Sequence, residues 1–296
     1  MNNPEPSIYR GRLAPSPTGL LHLGHARTFW IAHERARAAN GTLVLRNEDI
    51  DRQRGKPEFV AAFIENLKWL GCEWREGPDI GGPFAPYNQS ERFSAYRQTL
   101  MRLIEAGHVY ACTCSRKDIQ SSAGAPHGAD DEILYPGTCR ANELAGNPAE
   151  AAALNPTVWG LEESSRFSLR FRVPDDQPVE FNDERFGAQS FVAGRDFGDF
   201  VLWRHDDVPS YQIAVVTDDI AMKITEVVRG EDLLVSTARQ LLLYEALRAV
   251  PPKFYHCPLV VDESGQRLAK RSDSLSIRSL RESGKSPEDV RTMWSG

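Results

Sequence analysis

Residues 12–30 read RLAPSPTGLLHLGHARTFW. A loop dense in Pro, Ser and Gly gives way to two histidines, His22 and His25, that bracket a Leu-Gly pair. Upstream, IYRGRLA has the look of a short strand. Downstream, a helix is expected from His25 to Ala39, rich in Ala and Arg, with Asn40 and Gly41 as its stop. TLVLR then follows as a buried strand. Strand, loop, helix, strand opens a βαβ unit and with it a parallel sheet. The first turn of such a helix presents free N–H groups and a partial positive charge, which suits an anion. Gly24 lets a ligand approach the backbone, and the two imidazoles can donate hydrogen bonds to phosphate oxygens. The stretch is therefore suited to charge developing on a triphosphate attacked at its α-phosphorus. The blander alternative is a capped turn with incidental histidines. The flanking APSPTG weighs against it.

Bulk properties set the frame. A chain of 296 residues can bury a sizeable core in one large or two smaller domains. The hydrophobic share of 41% and charged share of 26% fit a soluble globular protein. No apolar run is long enough to span a bilayer, and the start MNNPEPSIYR lacks the form of a signal peptide, so a cytoplasmic address without a membrane partner is expected. A formal charge of −6 argues against general affinity for nucleic acid but leaves room for a local basic face. Five cysteines are few and odd in number, which disfavours a disulfide scaffold.

Further along, Phe59, Phe63, Leu67 and Leu70 share one helical face, as do Phe93, Tyr96, Leu100 and Leu103. RFSLRFRV alternates Phe167, Leu169, Phe171 and Val173, the period of a half-buried strand. YQIAVVTDD and KITEVVRG are expected as further strands, and TARQLLLYEALRAV as a helix. Residues 115–165 are loop-rich.

With these segments in view, RLAPSPTGLLHLGHAR resembles the signature (HIGH) region of class I aminoacyl-tRNA synthetases, in the glutamate/glutamine branch. LRNEDIDRQR at 45–54 is similar to the charged segment after that branch's next strand, PSYQIAVVTDDIAMKITEVVRGEDLL at 209–234 to its second long block, and GQRLAKRSDSLSI at 265–277 to its KMSKS loop. The resemblance runs in order from Arg12 to Ile277. It implies an α/β fold, a Rossmann-type parallel sheet built from residues 1–110 and 200–262. A zinc-containing subdomain would be inserted at 111–199, and the KMSKS-like loop and tail would occupy 263–296. Members that charge tRNA with glutamate carry a large anticodon-binding region after that loop. Residues 278–296 are too few for one. No anticodon-binding domain is therefore expected, and the truncated branch, the glutamyl-queuosine tRNA(Asp) synthetases, is the nearer resemblance. Its members activate glutamate without tRNA, then transfer it to the queuosine base in the anticodon of tRNA(Asp). The implied partners are L-glutamate, ATP with Mg, and that anticodon stem-loop. A monomer is expected.

Chemistry and resemblance together nominate site residues. Glutamate offers two carboxylates and an ammonium. Carboxylates suit Arg, whose planar fork makes bidentate pairs, and Arg12 and Arg229 stand at matching positions. Glu48 is placed for the ammonium. Ser16, Ala14 through its backbone, and Tyr211 complete the pocket in family terms. Asp49 and Asp51 are expected to order the loop. His22, Gly24, His25 and Lys270 are assigned to ATP, with His22, His25 and Lys270 catalytic. The KMSKS-like loop departs from pattern: Arg267, Leu268, Ala269, Lys270 and Arg271 fall on its five positions, so Ala269 lacks the usual hydroxyl. A register beginning KRSDS at Lys270 breaks the spacing from Gly265 through Leu268.

Cys112 and Cys114, with Cys139 farther on, suggest a structural zinc. The resemblance makes Tyr135 the fourth ligand, and ordinary zinc chemistry offers His127 as its competitor. Cys72 and Cys257 stand in apolar contexts as packing residues. Two other function classes are open: a small-molecule nucleotidyltransferase, and a catalytically inactive RNA-binding paralogue. Within the synthetases, the runner-up is a minimal enzyme charging a tRNA 3′ end.

Overall fold

The computed structural model describes residues 8–51, 53–122, 134–142, 144, 146–260 and 276–294. Strand β1 (Arg10–Leu13) and β2 (Thr42–Leu45) pair in parallel, Arg10 opposite Thr42 through Leu13 opposite Leu45. Three of the four residues in each are buried, as expected of strands covered on both faces. Helix α1 (Leu23–Ala38) joins them and starts two residues earlier than the sequence suggested. It ends as expected. Asn40 turns left-handed at φ 47°, and the Gly41 N–H reaches back to the Ala36 carbonyl at 2.9 Å. A side chain at Gly41 would strike the Tyr9 carbonyl, which explains the glycine.

Next come α2 (Pro57–Trp69), opened by a proline at its start, and α3 (Phe93–Glu105). Their buried faces include Phe63 and Leu67 on α2, with Leu70 just beyond it, and Tyr96, Leu100 and Leu103 on α3; Phe59 and Phe93 are half-buried. Strand β3 (Val109–Cys112) pairs antiparallel with β4 (Ser168–Phe171), and β4 with β7 (Phe200–Trp203). Phe167, Leu169, Phe171 and Val173 are all buried there, as their alternation predicts. Short helices α4 (Arg116–Ser122) and α5 (Pro148–Ala152) precede β4.

The second parallel unit is β8 (Glu226–Gly230), α7 (Leu234–Ala246) and β9 (Lys253–Cys257). β5 (Pro178–Asp183) and β6 (Gly187–Val192) form an antiparallel hairpin whose Asp183 stands beside Phe254 of β9. β8 lies alongside β1, where the Thr225 N–H donates to the Arg10 carbonyl at 2.9 Å. The parallel strands therefore run β2, β1, β8, β9 across the molecule. The α/β expectation holds for these strands, and the antiparallel β3–β4–β7 sheet and β5–β6 hairpin stand beside them.

One expectation fails. YQIAVVTDD is not a strand but the first nine residues of α6 (Tyr211–Ala221). Ile213 through Asp219 are all buried, so the helix is covered all round and shows no polar face. A short apolar run rich in Ile, Val and Thr cannot be told from a buried strand by periodicity. The chain closes with α8 (Ile277–Glu282) and α9 (Pro287–Thr292), the latter held by a capping box between Ser286 and Asp289. Two large apolar clusters result. One packs α3, the β3–β4–β7 sheet, α6 and α7. The other packs α1, α2, β1, β2 and the terminal helices. Cys72 and Cys257 lie in the second, where burial pushes their thiols up to about 12 and about 11, as suits packing residues. Among the described residues no helix is long and apolar enough to cross a membrane.

Candidate active site

The order β2, β1, β8 puts a topological switch at β1, because α1 carries the chain to one side and β8 lies on the other. Ligands of such sheets bind outside the carboxyl ends of the strands at that point. Four candidate residues meet there. Arg12 is at the end of β1, Glu48 just beyond β2, Arg229 at the end of β8, and Tyr211 at the start of α6. The loop after β1 is tied to the end of β2. The Arg46 N–H donates to the Leu13 carbonyl at 2.8 Å, and the Glu48 N–H to the Pro15 carbonyl at 3.0 Å. Ala14 in that loop is half-buried and Ser16 exposed.

Arg12 is buried, and its Nη1 donates to the Val228 carbonyl at 2.9 Å, directly before Arg229. Burial draws its guanidinium down from the usual arginine range, while Asp219 at 3.8 Å draws it back up. Arg46, which the sequence reading passed over, is fully enclosed. Its Nη1 donates to Asp219 at 2.6 Å and its Nη2 to Glu48 at 2.9 Å. Burial raises the Glu48 carboxyl, and Arg46 and Arg12 only partly offset it.

Beneath them, Asp218 accepts from Gln89 at 2.8 Å, Arg92 at 2.6 Å and Tyr96 at 2.9 Å. Asp218 and Asp219 were also missed, because a strand would have turned them to opposite faces. On α6 both point into this charge network. Asp49 and Asp51 order the loop as expected. Asp49 accepts from the Ser90 N–H and hydroxyl at 2.9 and 2.7 Å, and Asp51 from the N–H groups of Gln53 and Arg54.

Arg229 differs from its neighbours. It is buried, and its donors meet the His256 Nε2 at 3.3 Å, the Tyr211 hydroxyl at 3.4 Å and the Thr237 hydroxyl at 2.6 Å. All three acceptors are neutral. Among the described residues no carboxylate pairs with this guanidinium, although Arg12, Arg46 and Arg92 each face one. Arg229 and Tyr211 lie close enough to Arg12 for both to act on its charge.

His22 is the N-cap of α1 and His25 sits in its first turn, their rings 6.5 Å apart in an edge-on arrangement. The first turn contains no acid, and Arg35 and Arg37 occupy the last. With no acid in that turn, the positive end of the helix dipole favours an anion. Lys270, with Arg267, Leu268, Ala269 and Arg271, lies outside the described residues. The described residues on either side approach the histidine loop: a β-carbon on Gly24 would come within 3.7 Å of Val260, and Ser276 bridges to His22.

Away from this crevice, the thiols of Cys112, Cys114 and Cys139 gather within 4.8 Å of one another. Cys114 and Cys139 are 3.5 Å apart, and the Tyr135 hydroxyl lies 3.3 Å from Cys112 and 3.7 Å from Cys114. Ligands of a tetrahedral zinc with Zn–S near 2.3 Å stand about 3.8 Å apart, so the donor set fits a metal ion. Burial pushes the Cys139 thiol up, but hydrogen bonds from Tyr135, the Thr113 backbone and Cys114 outweigh it and bring it to about 7. Arg140, next in the chain, forks onto Asp199 at 2.6 and 2.7 Å and fixes the third cysteine against β7. His127 lies outside the described residues.

Comparison with known proteins shows the family of the chain. The pattern of the family described as tRNA synthetases class I (E and Q), catalytic domain, covers residues 9–294. The chain belongs to this family. It is a ligase of the aminoacyl-tRNA synthetase type. It is 48% identical over 277 residues to the glutamyl-Q tRNA(Asp) synthetase of Nitratidesulfovibrio vulgaris, covering 94% of this chain and 82% of that one. It is 47% identical over 281 residues to the glutamyl-Q tRNA(Asp) synthetase of Symbiobacterium thermophilum, covering 95% and 83%. The crystal structure of the glutamate-tRNA synthetase of Elizabethkingia anophelis superposes with a TM-score of 0.76 at 32% identity, covering 94% of this chain and 54% of that one. The chain thus spans about half the length of that synthetase.

Proposed function

We propose that the crevice at the carboxyl ends of β1, β2 and β8 activates L-glutamate with ATP, without tRNA, and passes the glutamyl group to the queuosine base in the anticodon of tRNA(Asp). The observation that carries this reading is Arg229: a buried cation held by three neutral acceptors, with no carboxylate partner among the described residues. A buried charge is stable when paired, and a substrate carboxylate supplies the pair. Glu48 takes the substrate ammonium, and Arg12 with the Ala14 backbone and Ser16 borders the reacting carboxylate. That carboxylate attacks the α-phosphorus of ATP and pyrophosphate leaves. His22, Gly24 and His25 at the positive end of α1 hold the phosphates, with Mg on the nucleotide. Lys270 neutralises charge on the departing pyrophosphate.

The names and high identity of the two glutamyl-Q relatives support queuosine as the acceptor. Similarity to a glutamate-tRNA synthetase favours a second reading, in which the acceptor is a tRNA 3′ end. Labelled glutamate, ATP and tRNA(Asp) with and without queuosine separate the two. Label that requires queuosine and stays with the anticodon fragment after nuclease digestion supports the first. Label on the 3′ fragment, independent of queuosine, supports the second. A chain that incorporates no label and catalyses no glutamate-dependent pyrophosphate exchange is the inactive paralogue. Cys112, Cys114, Cys139 and Tyr135 are assigned one structural zinc, which would hold the start of an inserted segment at 111–199.

A further inference from the structure

Arg229 owes its position to two residues that reach it from behind. His256, on β9, is completely enclosed. Its Nδ1 stands 2.6 Å from Asp183 Oδ2, at the end of β5. A carboxylate only accepts hydrogen bonds, so Nδ1 carries the proton and Nε2 is left with a lone pair. That lone pair faces the Arg229 Nε–H at 3.3 Å. Asp183 is itself held: its Oδ1 accepts from the N–H groups of Arg185 and Phe186 at 3.0 and 2.9 Å, and its Oδ2 from the His256 N–H at 3.1 Å. The imidazole ring is fixed by Phe181 and Phe254, and Thr237 lies 3.0 Å from Nε2. The chain of contact runs Asp183, His256, Arg229, Tyr211.

We infer that Asp183 and His256 are positioning residues that orient Arg229 through a neutral acceptor and so set selectivity for a carboxylate side chain over an amide. The inference rests on the proposed glutamate site. A carboxylate placed directly on Arg229 would orient it equally well but would neutralise it. An imidazole between Asp183 and Arg229 delivers the orientation and keeps the guanidinium charge for the ligand. The tautomer is decisive. With the proton on Nε2 the ring would present a donor to a donor, and Arg229 would be pushed from its place. Neither residue touches substrate, so the effect falls on glutamate binding and selectivity rather than on ATP.

Three variants and one spectrum test this. Asp183→Asn turns an amide donor towards Nδ1 and favours the wrong tautomer. His256→Phe keeps the ring packing but removes the acceptor. His256→Gln restores an acceptor oxygen near the position of Nε2. Pyrophosphate exchange without tRNA, with glutamate, glutamine and ATP each varied, gives KM and kcat. Asp183→Asn and His256→Phe are expected to raise KM for glutamate about tenfold or more and to lower the glutamate-to-glutamine ratio. KM for ATP should stay near wild type, and His256→Gln should recover most of the loss. Unchanged glutamate KM and selectivity in folded Asp183→Asn or His256→Phe would overturn the inference. If either fails to fold, nitrogen NMR of wild-type His256 at neutral pH decides: the Nδ1–H tautomer is expected, and an Nε2–H tautomer or an imidazolium overturns it. A wild-type protein with no glutamate-dependent exchange defeats the functional reading instead, and the spectrum still reports on the pair.

Discussion

Arg46 bridges Asp219 and Glu48, donating to one at 2.6 Å and to the other at 2.9 Å from a position with no solvent exposure. It makes an α6 carboxylate and the carboxylate beyond β2 parts of one charge network. Removing one member of a buried pair while leaving the other costs about 3–5 kcal/mol. Arg46→Met should therefore lose stability on that scale in urea unfolding, and lose glutamate exchange with it. A variant as stable as wild type would show that the network carries no structural weight.

Glu48→Gln separates fold from function. The amide still accepts from Arg46, so the unfolding midpoint should move little. Its charge can no longer match an ammonium, and KM for glutamate should rise about tenfold or more while KM for ATP holds. Equal effects on both substrates would argue against the ammonium role.

His256 makes stability depend on pH. Burial, then Arg229, lower its imidazole from 6.5 to about 4, against the opposing pull of Asp183; Arg12 also faces it and lowers it further. The folded state thus binds its proton less readily than the unfolded chain. The stability this provides is complete above about pH 6.5 and falls away as pH drops towards about 4, by about 3 kcal/mol at most. Urea unfolding of wild type and His256→Gln at pH 7, 6 and 5 isolates the effect. Wild type should lose more than the variant at each step, and parallel losses would contradict the assignment.

The thiol cluster predicts about one zinc per chain by metal analysis after dialysis. Chelation, or Cys139→Ser, should lower the melting temperature. Metal-free protein with unchanged melting behaviour, purified without chelator, would remove zinc from the account.

Much of this was legible because local chemistry is written in adjacent residues. The loop from Ala14 to His25 gave itself away by Pro, Gly and His at the start of a helix, and the strands either side by unbroken apolar runs. Phe167 to Val173 showed their alternation because one face of β4 is more covered than the other. What was hidden depends on distant contacts. Asp218 and Asp219 are not legible from the sequence pattern, since a helix buried on every side has no amphipathic period to tell it from a strand. Ser210, at the N-cap of that helix, was the available signal. Arg46 stood inside a quoted segment, but only the fold brings Asp219 to it. Asp183 and His256 are 73 residues apart, and nothing local marks either as a partner of Arg229.

The central claim is that Arg229 keeps its charge for a substrate carboxylate, and pyrophosphate exchange without tRNA tests it most directly. Leaving a buried charge unpaired costs about 2–5 kcal/mol, which corresponds to tens- to thousands-fold in rate. Wild-type protein should therefore exchange with L-glutamate and fall by that factor with glutamine, while Arg229→Ala should lose glutamate exchange and keep ATP binding. Equal exchange with glutamate and glutamine, or full glutamate exchange by Arg229→Ala, would contradict the account.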